Sequence, residues 1–142
     1  MYKEILLPIN MDDTELTGRA IETAEELSER DGANLTVFTA IPDFSSSMVA
    51  SYFPEDALEK AHKATCVELQ QFVDARFRKP SAVRCSVGEG SPRKLIIRYV
   101  EEHGIDLVVI PARKTNLGKV FLGSNSSYVV DHAPCSVLVV RP

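Results

Sequence analysis

Five short apolar runs recur along the chain, and a segment of helical period separates each run from the next. Each run is apolar at consecutive positions, as in strands that are covered on both faces. Parallel strands need crossover connections, and helices that bury an apolar stripe supply them on both faces of a sheet. The pattern predicts a doubly wound α/β fold with an open five-stranded parallel sheet. The predicted strands are Glu4–Ile9, Asn34–Ile41, Ala82–Val87, Asp106–Ile110 and Ser136–Val140.

Caps and prolines set the bounds of the predicted helices. The first and third helices are followed by Gly32 and Gly104, which suit a C-cap, and the second and third begin at prolines. Asp43–Phe53 has no clear period and predicts a mobile loop. The predicted helices are Thr14–Arg30, Pro54–Phe77, residues 92–103, and a short segment that begins after Gly123 and ends before Ala133. The acidic residues expected on a solvated face of the first helix are Glu22, Glu25, Glu26 and Glu29.

Length, charge and cysteine content narrow the class of protein. The 142 residues suit one domain, and a net charge of −4 argues against nucleic-acid binding, which requires a basic surface. Three widely spaced cysteines without a C-x-x-C pair predict neither a disulfide framework nor a zinc site. No apolar run approaches the roughly 20 residues of a membrane span, and the N-terminus lacks the apolar core of a secretory signal. We expect a cytoplasmic protein with no membrane or nucleic-acid partner.

The ends of the first and fourth strands predict the ligand-binding edge of the sheet. In a doubly wound sheet, ligands bind beyond the carboxyl ends of the strands, at the point where the strand order reverses. If the order is 3-2-1-4-5, this crevice lies between strands 1 and 4. The residues at these two strand ends are Pro8, Ile9, Asn10, Ile110, Pro111, Ala112 and Arg113.

A second feature predicts an anion at the same edge. The polar loop after the fourth strand carries Arg113 and Lys114, and it ends in glycine and hydroxyl residues where a short helix begins. Free backbone N–H groups at the start of a helix favour an anion. The donors predicted there belong to Gly123, Ser124, Asn125 and Ser126.

Two familiar phosphate-binding patterns are nearly present but fail. Gly118 and Gly123 have the glycine spacing of a P-loop, yet Ser124–Asn125 stands where Lys followed by Ser or Thr is required. Residues 88–90 contain two glycines, but Arg93 occupies the place of the third, and they follow the third strand. The sequence therefore disfavours a Walker-type NTPase and a dinucleotide-binding domain.

Several stretches, from the beginning of the chain to its end, resemble the universal stress protein family. They are Ile5–Ile9, Val87–Pro92, Leu122–Ser124 and His132–Val140. The resemblance implies the strand order 3-2-1-4-5, homodimerisation through the last strand, and two branches, one of which binds ATP. It also implies that Ala40 lies against the adenine.

The glycine motif of the ATP-binding branch matches this chain at its end but not at its beginning. In that branch the fourth strand ends in a glycine, a second glycine follows after two residues, and Gly-Ser or Gly-Thr comes after nine more. Gly123–Ser124 match the end, whereas Ile110 and Arg113 occupy the two earlier places, and a spacer shorter by one puts Pro111 at the first. Side chains there crowd a nucleotide, although Arg113 and Lys114 supply counter-charges for phosphates.

Two functions stay open on this basis. The first is a stress-response regulator that binds ATP, ADP or AMP, with or without Mg, and acts as a homodimeric switch toward an unidentified protein partner. Any hydrolysis should be slow, because no catalytic residue or general base is evident. The second is a dimeric interaction module of the same family that has lost nucleotide binding. The missing glycines favour it, as does Asn10, which brings no charge where the binding branch usually carries Asp.

Overall fold

The structure is a computed structural model, and it describes residues 1–41, 51–114 and 120–142. Strands and helices alternate in these ranges as predicted. None of the helices described has the length and apolar character needed to cross a membrane. In chain order the elements are β1 (Glu4–Pro8), α1 (Gly18–Asp31), β2 (Asn34–Ile41), α2 (Ala57–Arg76), a 3-10 helix (Pro80–Ala82), β3 (Val83–Glu89), α3 (Pro92–His103), β4 (Leu107–Pro111), β5 (Arg113–Lys114), β6 (Val120–Phe121), α4 (Ser124–His132) and β7 (Ser136–Val140).

The main sheet has five strands in the order β3-β2-β1-β4-β7, and all of its ladders are parallel. β7 is the fifth strand of this sheet, because β5 and β6 form a separate antiparallel hairpin. The chain winds outward from β1 to β3 and then returns to the other side of β1 with β4. The predicted α/β class and the order 3-2-1-4-5 are therefore confirmed, and the order reverses between β1 and β4.

Alternate strand residues face two apolar clusters, one on each side of the sheet. In β4, Leu107 and Val109 belong to the cluster covered by α1 and α2, whereas Val108 and Ile110 belong to the cluster covered by α3 and α4. A shift of β4 by one residue would exchange these two sets, so the packing fixes its register. The helix residues buried in the two clusters include Ala20, Ile21, Ala24, Leu69, Val73, Ile96, Val100 and Val129.

Two predicted helix ends are confirmed, whereas the predicted start of α1 is wrong. Gly32 and Gly104 follow α1 and α3 in the left-handed region, with φ of 67° and 61°, which glycine adopts without strain. α1 begins at Gly18 and not at Thr14. The N–H and the hydroxyl of Thr17 both bond to the carbonyl of Thr14, over 3.3 and 2.7 Å. These bonds close a separate turn before the helix.

Other bounds differ by a few residues for local reasons. α2 begins at Ala57, because the Ala57 N–H donates to the Pro54 carbonyl over 3.0 Å in a preceding turn. β3 extends through Gly88 and Glu89, which pair with the last residues of β2. A short hairpin, β5 with β6, occupies part of a segment predicted as a loop. Most of the predicted loop Asp43–Phe53 lies outside the described residues, as does Gly118.

Glu25 does not lie on a solvated face, in contrast to the prediction. Its side chain is only 6% exposed, and its Oε1 accepts the Arg78 N–H over 2.8 Å. The Arg78 guanidinium lies 3.4 Å from the other oxygen. Glu25 therefore joins α1 to the segment that follows α2.

Candidate functional site

A cleft of about 350 Å³ opens at the carboxyl edge of the main sheet, between the ends of β1 and β4. This volume lies within the range of small-molecule sites, roughly 300–1,000 Å³. All the residues predicted for a ligand site line it, apart from Lys114, whose backbone pairs with Val120 and whose side chain lies outside the described part of the chain. The predicted residues that line the cleft are Pro8, Ile9, Asn10, Ala40, Ile110, Pro111, Arg113, Gly123, Ser124, Asn125 and Ser126.

The inner wall of the cleft is apolar and is supported by the core behind it. Four of its side chains belong to the apolar cluster that α3 and α4 cover, namely Phe38, Ile96, Ile110 and Val129. The Ile9 N–H donates to the Phe38 carbonyl over 2.8 Å, and the buried Thr39 hydroxyl donates to the Ile9 carbonyl over 2.8 Å. These bonds tie the ends of β1 and β2 together. Such a wall can bind a flat, largely apolar group.

Asn10 organises the turn between β1 and α1. Its Oδ1 accepts the Asp12 N–H over 3.0 Å, and its backbone carbonyl accepts the Asp13 N–H over 3.0 Å. Asparagine commonly makes such bonds in turns. The side-chain oxygen is therefore engaged within the turn, and the turn places Asp12 and Asp13 on the lining of the cleft.

The start of α4 presents backbone donors to the cleft. Gly123 is the N-cap and supplies no side-chain cap, and the first turn contains no acidic residue. The Ser127 N–H donates to the Gly123 carbonyl over 2.8 Å, so the preceding N–H groups have no acceptor within the helix. These groups belong to Ser124, Asn125 and Ser126, all of which line the cleft. The helix dipole adds partial positive charge, and the arrangement suits a phosphate.

Arg113 crosses from the end of β4 to the turn after β1. Its Nη2 and Nε donate to Asp13 Oδ2 over 3.1 and 3.3 Å, and the two side chains are 46% and 40% exposed. A Cβ added at Gly123 would lie 3.1 Å from Arg113 Cδ. The arginine side chain therefore lies against the N-cap residue of α4, and glycine at 123 leaves the space for it.

A second arginine stands beside the same helix start. Arg93, in the first turn of α3, donates from Nε to Asn125 Oδ1 over 3.3 Å, and its guanidinium carbon lies 5.5 Å from the centre of the Tyr128 ring. Gly90 and Pro92, just before it, line the cleft. The carboxyl end of β3 thus contributes to the site.

Several residues that line the cleft were not predicted from the sequence. The rule used for β1 and β4, that strand ends carry the site, would also have indicated Gly90 and Pro92 after β3 and the residues that end β2. The missed lining residues are Asp12, Asp13, Leu16, Thr17, Phe38, Thr39, Ile41, Gly90, Pro92, Ile96 and Val129.

Within the described residues, no group of three or more His, Cys, Asp or Glu side chains is arranged to hold a metal ion. The two aspartates of the cleft, Asp12 and Asp13, are adjacent in one turn, and Asp13 is paired with Arg113. The backbone N–H groups of α4 and the guanidinium of Arg113 are suited to an anion.

The sequence and the fold are similar to those of known proteins. The model of the universal stress protein family matches residues 1–141. Universal stress protein G of Salmonella typhimurium is 35% identical over 144 aligned residues, which cover 99% of this chain and 100% of that protein. The structure of universal stress protein UspA from Lactobacillus plantarum has a TM-score of 0.71 and 31% identity, and the match covers 99% of this chain and 98% of that one.

Two more distant solved structures share the fold and were determined with nucleotides. One is a universal stress protein in complex with cAMP, with a TM-score of 0.68, 21% identity, and coverage of 98% and 97%. The other is the universal stress protein from Archaeoglobus fulgidus in complex with dAMP, with a TM-score of 0.64, 18% identity, and coverage of 97% of both chains. Fold, family model and relatives agree along the whole length, and the chain belongs to the universal stress protein family.

Proposed function

We propose that this protein is a stress-response regulator that binds an adenine nucleotide, ATP or its ADP and AMP forms, in the cleft between β1 and β4. The observation that carries the proposal is the combination, in one cleft, of an apolar wall with the first N–H groups of α4, which have no acceptor within the helix. A nucleoside phosphate has the matching parts, a flat ring and an anion. Two members of the family in complex with cAMP and dAMP support the ligand class.

The lining residues divide into two groups under this proposal. The adenosine lies among apolar and turn residues, and the phosphates lie at the start of α4 beside Arg113, with Lys114 as a further counter-charge. The residues proposed to frame the adenosine are Pro8, Ile9, Asn10, Ala40, Ile110 and Pro111, and those proposed for the phosphates are Arg113, Lys114, Gly123, Ser124, Asn125 and Ser126.

Any Mg would enter with the phosphates. Magnesium keeps several waters and binds mainly through phosphate oxygens in such sites, and the described residues offer no acidic cage of their own. Hydrolysis is proposed to be slow at most, so that the bound nucleotide acts as a signal. The proposed compartment is the cytoplasm, which suits the three free cysteines.

We propose that the protein acts as a homodimer through β7. In the main sheet β7 pairs with β4 on one side and forms the edge on the other. Its residues Val137–Val140 are apolar, and Leu138 is 37% exposed. An exposed apolar edge strand of this kind favours pairing with another strand. A second copy of β7 would cover this edge, and a further protein partner would bind the dimer.

A second candidate is the interaction module without nucleotide. Pro111 favours it, because it lines the cleft but has no N–H to donate, and Ile110 beside it fills space that glycine would leave open. The ion pair between Arg113 and Asp13 also favours it, since it occupies a cation proposed for the phosphates.

Calorimetric titration of nucleotide-stripped protein with ATP and Mg tests both candidates. Nucleotide binding predicts a micromolar dissociation constant, about −8 kcal/mol. Gly123→Val should abolish it, because the added side chain fills the cleft at the start of α4 and also displaces Arg113. Gly18→Val is the matched control, since a Cβ there meets only the flexible end of Arg76 at 3.7 Å. Thermal melts establish that both variants are folded. Absence of heat, together with no thermal stabilisation at millimolar ATP, would support the interaction module instead.

A further inference from the structure

We infer that Asp13 is an internal competitor for the ligand's phosphate, and that its carboxylate sets how strongly the cleft prefers phosphorylated ligands. The inference rests on the proposed function, because it concerns the same cleft. It starts from the ion pair between Asp13 and Arg113, whose two members come from opposite sides of the cleft and both line it.

The geometry places the arginine where a phosphate would need it. Its stem lies against Gly123, with Cδ 3.1 Å from the position of an added Cβ. The N–H groups of Ser124–Ser126 follow directly along α4. Both donating nitrogens, Nη2 and Nε, are directed to a single oxygen of Asp13, at 3.1 and 3.3 Å. The carboxylate therefore occupies the donors that would complete the phosphate site.

The ion pair is weak enough to be exchanged. Its side chains are 46% and 40% exposed, and pairs that are this accessible to water contribute little to stability. A phosphate offers Arg113 a higher charge and more acceptor oxygens than a carboxylate. A phosphate would also accept hydrogen bonds from the N–H groups that begin α4, whereas Asp13 accepts none of these. The phosphate should therefore replace Asp13 as the partner of Arg113.

Asp13 then opposes binding in two ways. Its pair with Arg113 must break, and its carboxylate remains close to the phosphate as a like charge. Neither effect applies to a ligand without a phosphate. Asp13 thus lowers the affinity for AMP and ATP but leaves the affinity for adenosine unchanged, which makes it a specificity-determining residue of the cleft.

Calorimetric titration of Asp13→Asn with adenosine, AMP and ATP tests the inference. We expect ATP and AMP to bind to the variant about three- to ten-fold more tightly than to the wild type. A change of this size corresponds to the loss of one exposed ion pair and one repulsive charge. Adenosine affinity should change less than about two-fold. The gain should shrink as salt is raised, because both effects are electrostatic at an exposed site.

Asp12→Asn is the matched control. Asp12 lines the same cleft and its loss removes the same charge, but among the described residues it forms no ion pair. It should tighten ATP binding less than Asp13→Asn does. When Arg113 is replaced in addition, by Arg113→Gln, no ion pair is left to break. Asp13→Asn should then raise the affinity for ATP no more than Asp12→Asn does.

Each outcome bears on a separate claim. If the wild type binds ATP and Asp13→Asn does not tighten it, or tightens adenosine equally, the Asp13 inference is wrong and the proposed function stands. If Asp13→Asn weakens ATP only when Mg is present, Asp13 holds the metal and the inference is again wrong. If no variant binds any of the three ligands while all are folded, the proposed function fails and the inference falls with it.

Discussion

The two edges of the main sheet contain similar charged and backbone groups but use them in opposite ways. At the amino edge, where the parallel strands begin, carboxylates accept backbone N–H groups. Asp106 accepts those of Lys3 and Glu4 over 2.9 and 3.1 Å. Glu25 accepts the N–H of Arg78 over 2.8 Å. These bonds connect segments that are far apart in the chain, so they contribute to stability.

At the carboxyl edge, where the parallel strands end, backbone N–H groups are not paired with carboxylates in this way. The N–H groups that begin α4 have no acidic partner in the first turn. Asp13 instead pairs with the exposed Arg113, which leaves the helix donors open to the cleft. Backbone N–H groups that have an acceptor within the protein stabilise the fold, whereas N–H groups that face a cleft are available to bind a ligand. Substitutions at the two edges should therefore separate stability from binding.

The largest expected effect is that of Glu25→Ala at the amino edge. The substitution leaves the Arg78 N–H without its acceptor and removes a side chain that is 6% exposed. Loss of hydrogen bonds to a buried charged group predicts a decrease of about 3 kcal/mol in the free energy of unfolding. Urea denaturation measures it. Glu26→Ala, at an exposed position of the same helix, should lose less than about 0.5 kcal/mol. Equal losses in the two variants would contradict the structural role of Glu25.

Asp106→Ala should have the next largest effect. It removes two hydrogen bonds that hold the start of β1 against β4, one of them partly buried. We expect a loss of about 2 kcal/mol in the free energy of unfolding, with no change in ATP affinity because the cleft is at the other edge. Glu102→Ala, at an exposed position of α3, is the control. If Asp106→Ala changed the ATP affinity but not the free energy of unfolding, the proposed difference between the two edges would be wrong.

Arg113→Ala should show the opposite pattern at the carboxyl edge. Because its ion pair is exposed, its loss should lower the free energy of unfolding by less than about 1 kcal/mol. ATP binding should weaken about ten-fold, through the loss of a charge-assisted contact to phosphate. Calorimetry and urea denaturation on the same preparation measure both quantities. Arg19→Ala, at an exposed position of α1, should change neither.

Periodicity predicted the fold class, and the rules for strand ends and helix starts predicted about half of the residues that line the cleft, because both depend on local pattern. Apolar runs identify buried strands, and the carboxyl ends of β1 and β4 identify the crevice. The strand order itself came from the family resemblance and from no local signal. The order matters for the site, because it makes β1 and β4 neighbours although about a hundred residues separate them.

The side-chain partners could not be predicted in the same way. Glu25 follows Ile21 by four residues and so shares the buried face of α1, a signal that its charge obscured. Its partner Arg78 lies beyond α2, and no local pattern indicates such a pair. The same holds for Asp13, in the turn after β1, and Arg113, in β5, which lie at opposite sides of one cleft. The beginning of α1 was misplaced because Thr17 bonds back to Thr14, which a helical pattern does not reveal.

The smallest expected effect concerns Asp31 at the amino edge, and it depends on pH. The hydrogen bond from the Arg30 guanidinium, and then the one from the Tyr2 N–H, hold the pKa of the Asp31 carboxyl well below its usual range. In the unfolded chain the pKa should return to about 3.9. The unfolded state therefore binds the proton first as the pH falls, and the stabilisation present above about pH 4 is lost progressively below it.

Asp31→Asn lacks this charge at every pH. Its free energy of unfolding should be lower than that of the wild type at about pH 7, and the difference should shrink steadily as the pH falls below about 4. Urea midpoints of the two proteins across this range measure the change. A difference that stays constant with pH would mean that the side chain acts through its shape alone. A difference that shrinks would show that the charge of Asp31 stabilises the fold, first through the hydrogen bond from Arg30 and then through the one from the Tyr2 N–H.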